Sequence, residues 1–297
     1  MGSVCGTVVT GATDGIGKAY AKQLAKRGLS IILIARNEDK LRATASEIAL
    51  DIEVSGTASE VKKHQIIYTR GICILGEEYG VETMTIQADF SQGKDIYPLI
   101  SQQLKNKEIG ILVNNVGTMY ESPSKFLRVP QQKLWDLINI NMASVTMMTY
   151  MVLPQMVQSI VHRKRGIVVN VSSISSYYPM PLMACYSASK IYVDWFSQAL
   201  RQEYSHQGIV VQSLIPSYIA TKLVGFSNFL QKPGLIVPGA DSFTASAVAT
   251  LGVSDRTTGY WTHGLQVQTL SPSYLSGQVQ IIEISCVVRH FSLNKPR

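Results

Sequence analysis

The chain has 297 residues, enough for one large or two small domains, and 46% of them are hydrophobic, as in a globular protein with a sizeable core. The five histidines form no His-Glu-x-x-His pattern and the cysteines form no Cys-x-x-Cys pair, so we expect neither a metal site nor a disulfide framework. This cysteine usage favours a reducing compartment or a cytosol-facing surface. The four cysteines are Cys5, Cys73, Cys185 and Cys286.

The formal net charge of +7 favours an anionic partner such as a phosphorylated cofactor, an acyl-CoA or a membrane surface. The basic residues are scattered, and their one cluster, residues 162–165, is explained better by a solvated helix end than by nucleic-acid binding. The opening residues resemble neither a signal peptide nor a membrane span. The uncharged run 142–161 is long enough to cross a bilayer, but its polar residues and Pro154 favour a buried core helix.

A glycine-rich stretch at residues 10–17, Thr-Gly-Ala-Thr-Asp-Gly-Ile-Gly, is the first motif with a chemical meaning. An apolar run at 4–9 predicts a buried strand before it, and the apolar spacing over 18–27 predicts a helix after it. Such a turn lets the backbone approach a pyrophosphate, whose charge is held by N–H groups at the helix N-terminus. The alternative is an ordinary strand-to-helix turn, which the flanking elements disfavour.

The glycine spacing, Gly-x-x-x-Gly-x-Gly, resembles the cofactor motif of the short-chain dehydrogenases/reductases. The resemblance implies a Rossmann fold and gives this turn the role of binding the cofactor. The residues to which it gives that role are Gly11, Thr13, Asp14, Gly15, Ile16 and Gly17.

A second buried strand is predicted at 30–35, and it ends at Arg36. In nucleotide-binding folds an acidic residue at the end of this strand holds the adenosine ribose, whereas a nearby arginine accepts a ribose phosphate. Arg36 stands where the acid would be, and its guanidinium pairs well with phosphate. We therefore predict NADP(H) rather than NAD(H) as the cofactor. The alternative is a surface arginine at a strand end.

The chain after the second strand departs from a compact pattern. Asn37 can cap a helix over 38–50, but residues 49–76 fit poorly as its continuation. Their removal would join 46–48 to 77–80 as an uninterrupted helix end with a glycine stop. Connections at this point are usually short. We therefore interpret 49–76 as an insertion, with a splice or gene-model product among its explanations.

Strands and helices alternate along the rest of the chain, with an apolar segment at 222–238 that we expect to form a mobile lid. The alternation predicts an α/β fold with a doubly wound parallel sheet, helices on both faces and a ligand at the C-terminal strand ends. Strands are predicted at 81–88, 109–113, 166–171, 208–215 and 260–270, and helices at 96–106, 131–163 with a kink at Pro154, 186–207 and 240–251.

Two of these strands end in polar motifs. Asp89 follows the third strand; in the resembled family an aspartate here contacts the adenine, and capping of the next helix is its alternative role. Asn114-Asn115-Val116-Gly117 follows the fourth strand and resembles the family's Asn-Asn-Ala-Gly. Asparagine side chains satisfy both donors and acceptors in a buried turn. The resemblance implies that Asn115 and Gly117 line the cofactor cleft.

Tyr186 and Lys190 are four residues apart, so they lie on one face of their predicted helix. A nearby ammonium and a positive nicotinamide ring favour a phenolate, so we expect the pKa of Tyr186 to fall below its ordinary value of about 10. Tyr186 can then exchange a proton with a carbonyl or an alcohol. Ser173 can hold the substrate oxygen, and Asn141 can fix a water that links Lys190 to solvent.

A lone Tyr-x-x-x-Lys pair is common, but here it follows the other motifs in order. The resemblance covers roughly 4–265, interrupted by 49–76. It implies contacts of Tyr186, Lys190 and Thr221 with the cofactor, although Ser217 replaces the glycine of the family's Pro-Gly-x-x-x-Thr pattern. It also implies a catalytic tetrad of Asn141, Ser173, Tyr186 and Lys190.

Residues 10–21, 186–190 and 219–223 are similar to the 17β-hydroxysteroid dehydrogenase and very-long-chain 3-oxoacyl-CoA reductase branch of the family. That branch implies NADPH-dependent reduction of a ketone on a hydrophobic substrate, either a 3-oxoacyl-CoA in fatty-acid elongation or a 17-ketosteroid. It also implies the cytosol-facing endoplasmic reticulum. The chain begins almost at its first strand, without the branch's N-terminal hydrophobic segment, so a cytoplasmic location is the alternative.

The predicted organisation is one domain over 1–267 and a C-terminal tail of uncertain structure over 268–297. In the resembled family, helices equivalent to 131–163 and 186–207 pair across a two-fold axis, which implies a homodimer. The alternative function is a catalytically inactive nucleotide-binding protein, because the insertion at 49–76 could destabilise the unit after the second strand.

Overall fold

A computed structural model describes residues 6–55, 67–69, 72–74, 81–163 and 165–275. Its centre is a nine-stranded sheet in the order β3-β4-β5-β2-β1-β6-β7-β8-β9. The strands are β1 (Gly6–Thr10), β2 (Ser30–Ala35), β3 (Ile67–Thr69), β4 (Ile72–Ile74), β5 (Glu82–Gln87), β6 (Ile109–Asn114), β7 (Gly166–Val171), β8 (Ile209–Leu214) and β9 (Arg256–Thr257).

The seven strands from β5 to β9 in this order are parallel, and their register is continuous between β1 and β2 and between β7 and β8. The strands β1, β2, β6, β7 and β8 are almost completely buried, as expected when helices cover both faces of a parallel sheet. The strand order reverses beside β1, between β2 and β6, and ligands bind at such a switch point in open α/β sheets. The predicted doubly wound α/β fold is confirmed.

Helices pack on both faces of the sheet and enclose two hydrophobic cores. One core includes side chains of α1, α2 and α7, such as Tyr20, Leu41 and Phe243; the other includes α3 and α5, with Ile100 and Met148. The helices are α1 (Gly15–Ala25), α2 (Glu38–Ser55), α3 (Tyr97–Leu104), α4 (Gln131–Ile138), α5 (Ser144–Arg163), α6 (Ala184–Tyr204), α7 (Ala240–Ala249) and α8 (Trp261–Leu275).

Helix α2 is longer than the sequence suggested. It continues to Ser55, so the prediction that residues from 49 onward do not extend the helix is wrong for 49–55. Ala49 and Ile52 continue its buried stripe, and Asp51 pairs with Lys22 of α1 at 3.2 Å. The extension is therefore stabilised by packing that the local apolar spacing did not reveal.

The rest of the segment 49–76 is described only in part. The short strands β3 and β4 pair antiparallel, and β4 pairs antiparallel with β5, so they extend one edge of the sheet. Residues 56–66, 70–71 and 75–76 lie outside the described residues. The interpretation of 49–76 as an insertion stays a proposal.

The long helical region 131–163 is interrupted by a π-helical turn at Asn139–Ala143, and α5 continues through Pro154. The helical region is therefore irregular at the turn that carries Asn141, within the fifteen residues before Pro154. Among the described residues, Gln131–Ser159 is long and apolar enough to cross a membrane, and 44% of its most apolar window is buried in the protein. Met148 and Val152 pack in the core, as expected for a core helix.

The strand predicted at 260–270 is wrong, because these residues begin helix α8, and the last strand of the sheet is Arg256–Thr257. Gly259, with φ +71°, turns the chain between the two. The buried side chains of Thr262 and His263 are adjacent in sequence, which does not fit strand alternation. Helix α8 also crosses residue 267, where the sequence suggested the end of the domain, and 276–297 lie outside the described residues.

Candidate active site

The glycine-rich turn connects β1 to α1 with a backbone that glycine permits. Gly11 and Gly15 have φ values of +64° and +50°, in the left-handed region. The Asp14 carboxylate caps α1 by accepting a hydrogen bond from the Gly15 N–H at 2.8 Å. This capping explains why α1 begins at residue 15, since an aspartate here satisfies a free N–H and matches the positive end of the helix dipole.

Gly17 leaves no room for any side chain. A Cβ at this position would lie 2.3 Å from Asn115 Nδ2 and 2.4 Å from the Gly11 carbonyl oxygen. Asn115 occupies this space because its amide donates to the carbonyl oxygens of Thr10 at 3.0 Å and Gly11 at 3.3 Å. The predicted Asn-Asn motif therefore holds the glycine-rich turn in place from the neighbouring strand.

The first asparagine of that motif has a structural role. Asn114 is buried, and its amide donates to Asn170 Oδ1 at 2.8 Å and to Thr149 Oγ1 at 3.0 Å. It thereby joins β6 to β7 and to helix α5. These bonds satisfy the side-chain N–H groups of Asn114, which would otherwise be costly to bury inside the sheet.

The end of β2 presents basic side chains. Arg36 and Lys40 are exposed and both line the cavity described below, while Asn37 caps α2 by accepting from the Lys40 N–H at 2.8 Å. At the end of β5, Asp89 accepts from the Ser91 N–H at 3.0 Å and from its hydroxyl at 2.8 Å. Asp89 thus caps the next turn, one of its two predicted roles, and its contact with an adenine stays a prediction.

Ser173, Tyr186 and Lys190 converge where β7 ends. The Lys190 ammonium donates to the Val171 carbonyl oxygen at 3.0 Å and lies 5.8 Å from the centroid of the Tyr186 ring. The Ser173 side chain makes a polar contact with the Tyr186 phenol and accepts from the Ser175 N–H at 3.2 Å. Both Tyr186 and Lys190 are buried in the protein.

Asn141 lies behind this group on the π-helical turn. Its side-chain oxygen accepts from the Thr118 N–H at 2.8 Å, and its amide donates to the Thr118 carbonyl at 2.9 Å and to Ser189 Oγ at 3.0 Å. A Cβ on Gly117 would lie 3.6 Å from Lys190 Nζ and 3.7 Å from Asn141 Oδ1. Asn141 therefore fixes the loop beside Lys190, and its role in holding a water stays a prediction.

Burial dominates the protonation of the two central groups. It raises the pKa of Tyr186 to about 12, with the Ser173 contact opposing the rise, and it lowers the pKa of Lys190 to about 8. For the protein by itself, without the nicotinamide that the expectation also counted, the pKa of Tyr186 rises and does not fall, because burial disfavours the phenolate by more than the Ser173 contact favours it. At neutral pH the phenol carries its proton.

Thr221 faces the glycine-rich turn from the segment that follows β8. A Cβ on Gly15 would lie 3.1 Å from Thr221 Cγ2. Earlier in the same segment, the Ser217 N–H donates to His263 Nδ1 at 3.3 Å and its hydroxyl donates to Gln266 Oε1 at 2.6 Å. Neither of these α8 residues was predicted from the sequence, because the pattern there indicated a strand and neither residue belongs to a motif.

A cavity of about 970 Å³ brings these groups together. All but two of the predicted site residues line it; the exceptions, Gly17 and Asn141, pack behind its wall. The segment 222–238 contributes Leu223, Val224, Phe226 and Ile236. In the described ranges no group of three or more His, Cys, Asp or Glu side chains could hold a metal ion.

The turn fits a dinucleotide. The absence of side chains at Gly11 and Gly15 lets the backbone line the cavity, and Gly17 lets the turn pack closely against Asn115 behind it. The N-terminus of α1 supplies N–H groups for a pyrophosphate. The basic end of the cavity is at Arg36, and the Tyr186 phenol lies in the same cavity beyond Gly117.

The doubly wound sheet, the glycine-rich first turn and the Ser-Tyr-Lys group at the end of β7 define a Rossmann-type nucleotide-binding oxidoreductase. The chain belongs to the short-chain dehydrogenase/reductase family: the family model described as short chain dehydrogenase matches residues 6–68 and 72–229. Members of this family bind a nicotinamide cofactor.

Similar proteins fall in the branch that the motifs indicated. The chain is 48% identical to the inactive hydroxysteroid dehydrogenase-like protein 1 of Homo sapiens, over 87% of this chain and 69% of that protein. It is 43% identical to the very-long-chain 3-oxoacyl-CoA reductase of Mus musculus, over 90% and 76%. A solved short-chain dehydrogenase from Sphingobium yanoikuyae, in complex with NADPH, is 25% identical with a TM-score of 0.68 and coverage of 92% and 96%.

Proposed function

We propose that the protein is an NADPH-dependent reductase of a ketone on a hydrophobic substrate, either a 3-oxoacyl-CoA in fatty-acid elongation or a 17-ketosteroid. The observation that carries this proposal is one cavity with Arg36 at one end and the Tyr186 phenol, beside Ser173 and Lys190, at the other. Arg36 follows β2 and Ser173 follows β7, three strands away in the sheet, an arrangement that suits a phosphorylated dinucleotide whose nicotinamide end lies beside the carbonyl that it would reduce.

When bound, the nicotinamide supplies a hydride. The protein's own contributions are binding and proton transfer. The Ser173 hydroxyl holds the carbonyl oxygen and Tyr186 donates its proton to that oxygen as the alcohol forms. Lys190, anchored on the Val171 carbonyl, is placed to stabilise the phenolate that remains. The burial that raises the pKa of Tyr186 to about 12 keeps the donor protonated before the reaction.

Cofactor choice follows from the basic end of the cavity. The guanidinium of Arg36 and the ammonium of Lys40 line it together, and charge-assisted hydrogen bonds to a ribose phosphate are among the stronger polar interactions in proteins. A solved family member at 25% identity holds NADPH, whereas a 3-ketoacyl-(acyl-carrier-protein) reductase from Brucella melitensis holds NADH. Arg36 is the feature of this chain that favours NADP(H).

The remaining wall suits an apolar substrate. The proposed proton donor Tyr186 packs in a cluster with Met119, Tyr120 and Met183, and Phe226 of the segment 222–238 packs against this cluster. Flexible methionines fit irregular apolar ligands. Acyl chains and steroids both fit an apolar wall of this kind, so the proposed substrate class is a hydrophobic carbonyl compound. The substrate panel described below distinguishes the two.

Membrane association at the cytosolic face of the endoplasmic reticulum is part of the proposal, with a cytoplasmic location as the alternative. Exposed apolar side chains lie on the segment 222–238 and on helix α8, both of which contribute residues to the cavity lining, and they are between 52% and 70% exposed. The segment 222–238 carries two lysines and no acidic residue, which favours an anionic lipid surface. The exposed apolar side chains are Phe229, Leu235, Ile236, Trp261 and Leu265.

A homodimer through α5 and α6 is also proposed. Tyr150 on α5 and Trp195 on α6 are 73% and 68% exposed, which leaves aromatic surface on the two helices that pair in the family. Light scattering at micromolar concentration should give the mass of two chains. A mass of one chain would remove this part of the proposal.

A catalytically inactive nucleotide-binding protein is the second candidate function. It is favoured by the names of the relatives at 44–48% identity, several of which include the word inactive. Against it stand the side chains of Ser173, Tyr186 and Lys190, which this chain retains in contact with the cavity. The two candidates predict the same fold and the same cofactor binding, and they differ only in turnover.

The test is purified protein with NADPH and a panel of 3-oxoacyl-CoA thioesters and 17-ketosteroids, followed by the loss of reduced-nicotinamide absorbance. Turnover that requires the ketone supports the reductase. Saturable NADPH binding without turnover on any member of the panel supports the inactive protein. No binding of either nicotinamide cofactor would contradict both.

A further inference from the structure

One glutamine on the C-terminal helix joins two separate parts of the cavity wall. Gln266 Oε1 accepts a hydrogen bond from Ser217 Oγ at 2.6 Å, and Gln266 Nε2 donates to the Ile236 carbonyl oxygen at 3.0 Å. All three residues line the cavity. A side-chain amide can donate and accept at once, so a single residue can hold both partners.

The two hydrogen-bond partners of Gln266 lie near opposite ends of the segment 222–238. Ser217 precedes it, after β8, and Ile236 lies near its end. Other bonds close the same ends: the Ala220 N–H donates to the Pro238 carbonyl at 3.0 Å, and Thr262 of α8 donates to the Leu235 carbonyl at 3.0 Å. Helix α8 thus holds both ends of the segment that covers the apolar part of the cavity.

The hydrogen bond to Ser217 also connects Gln266 to the residues that face the glycine-rich turn. Ser217 lies four residues before Thr221, whose methyl faces Gly15 of the glycine-rich turn. The Ser217 N–H is held separately by Nδ1 of His263, a fully buried residue one helical turn before Gln266. The backbone and the side chain of Ser217 are therefore both fixed by α8.

We propose that Gln266 is a positioning residue that sets the turn 216–221 and the segment 222–238 in register with each other. Through Ser217 it fixes where Thr221 stands against the cofactor turn, and through Ile236 it fixes the wall that a substrate contacts. The catalytic part of this inference rests on the proposed reductase function. The effect on the segment itself does not, since it concerns hydrogen bonds within the protein.

The experiment compares Gln266→Leu with Gln268→Leu. Leucine nearly keeps the volume of glutamine and removes both hydrogen bonds, and Gln268 is an exposed residue of the same helix, which makes it a matched control. Limited chymotrypsin cleavage within 222–238, which contains Phe226 and Phe229, should be about three- to tenfold faster in Gln266→Leu, as expected for the loss of hydrogen bonds of ordinary strength. Gln268→Leu should match the parent.

Two further variants separate the two bonds. Ser217→Ala removes one bond from the opposite side, so its effect and that of Gln266→Leu should not add in the double variant. Gln266→Glu keeps an acceptor for Ser217 but loses the donor to Ile236. It should therefore keep parent-like affinity in an NADPH fluorescence titration while its segment is cleaved faster. With an active parent, Gln266→Glu should raise KM for the ketone more than it lowers kcat.

The outcomes distinguish this inference from the proposed function. If the parent binds no NADPH, the cofactor proposal fails, and the cleavage rates alone decide the role of Gln266. Equal cleavage of Gln266→Leu and Gln268→Leu would overturn the inference even in an active enzyme. If Gln266→Leu does not fold, Ser217→Ala and Gln266→Glu supply the same comparison, and parent-like cleavage in both would overturn it.

Discussion

Asp14 and Lys222 form an ion pair that joins the glycine-rich turn to the first residue of the segment 222–238. The carboxylate of Asp14 also caps α1, so one side chain serves both the cofactor turn and the segment opposite. Burial raises the pKa of Asp14, but its hydrogen bonds to Lys222 and to the Gly15 N–H outweigh that effect and lower it. The Asp14 carboxylate is therefore ionised at neutral pH.

Removal of this pair should loosen the segment with little loss of global stability. Both side chains are partly exposed, so we expect Lys222→Gln to lower the free energy of unfolding by less than about 1 kcal/mol. Chymotrypsin cleavage within 222–238 should nevertheless become faster, because the tie to the glycine-rich turn is lost. Lys232→Gln, at an exposed lysine of the same segment, is the control. Equal cleavage of both variants would show that the pair does not restrain the segment.

Arg36 should determine the choice between the two nicotinamide cofactors. Arg36→Asp removes a charge-assisted phosphate contact of about 1.5–3 kcal/mol and adds a carboxylate that repels phosphate and can accept from ribose hydroxyls. We expect a weaker affinity for NADPH, by roughly ten- to a hundredfold, and a relative gain for NADH. Side-by-side titrations with both cofactors measure the change in selectivity. The control is Arg42→Asp, because Arg42 lies one helical turn into α2. Unchanged selectivity would remove Arg36 from the phosphate site.

His263 should make stability depend on pH in the acid range. Burial lowers its pKa to about 4, so the folded protein disfavours the imidazolium that the unfolded chain forms near pH 6.5. The contribution of the neutral His263 to the free energy of unfolding is therefore complete above about pH 6.5. It is lost as the pH falls towards 4, by up to about 3 kcal/mol.

The measurement is urea unfolding at a series of pH values for the parent, His263→Gln and the exposed control His206→Gln. The slope between pH 6.5 and 4 should flatten in His263→Gln, because no group at that position takes up a proton on unfolding. It should persist in His206→Gln. A parent-like slope in His263→Gln would mean that His263 does not carry this dependence.

The main parallel strands and the glycine-rich turn could be predicted from the sequence, because their signals are local. Buried strands such as Ser30–Ala35 are continuous apolar runs, and the turn at 10–17 has its glycines at fixed spacing. Helix α8 was not accessible, because it is held by residues far along the chain: Gln266 bonds to Ser217 and Ile236, and its buried face is polar. The pattern of apolar residues within α8 therefore does not predict a helix that is held by those distant partners.

The candidate site shows the same division. The residue types and spacing of Tyr186 and Lys190 place them on one helical face, and the structure brings them to Ser173. In the protein by itself the pKa of Tyr186 rises, which the sequence did not predict, because burial depends on the assembled fold and not on the spacing of two residues along a helix. The π-helical turn that carries Asn141 could not be predicted for a related reason, since the Asn141 side chain forms hydrogen bonds with the distant residues Thr118 and Ser189.

The proton-donor role of Tyr186 is tested by Tyr186→Phe, which removes the hydroxyl and keeps the packing of the ring beside Met183. NADPH binding should survive, because the glycine-rich turn and Arg36 are separate from the phenol. Turnover should fall by the roughly 10²–10⁴-fold that is typical of losing a positioned acid–base group. Lys190→Ala should also lower turnover, and it should weaken NADPH binding if the ammonium contacts the nicotinamide ribose.

The two defects should not add, since both residues serve a single proton transfer. Single-turnover hydride transfer, measured alongside NADPH fluorescence titration, separates chemistry from binding in each variant and in the double variant. Tyr192→Phe is the matched control and should react at the parent rate: Tyr192 lies on the same helix as Tyr186 but does not line the cavity, and its hydroxyl contacts Thr146 of α5. If Tyr186→Phe folds, binds NADPH and reacts as fast as Tyr192→Phe, then Tyr186 is not the proton donor, and the mechanism proposed for this cavity is wrong.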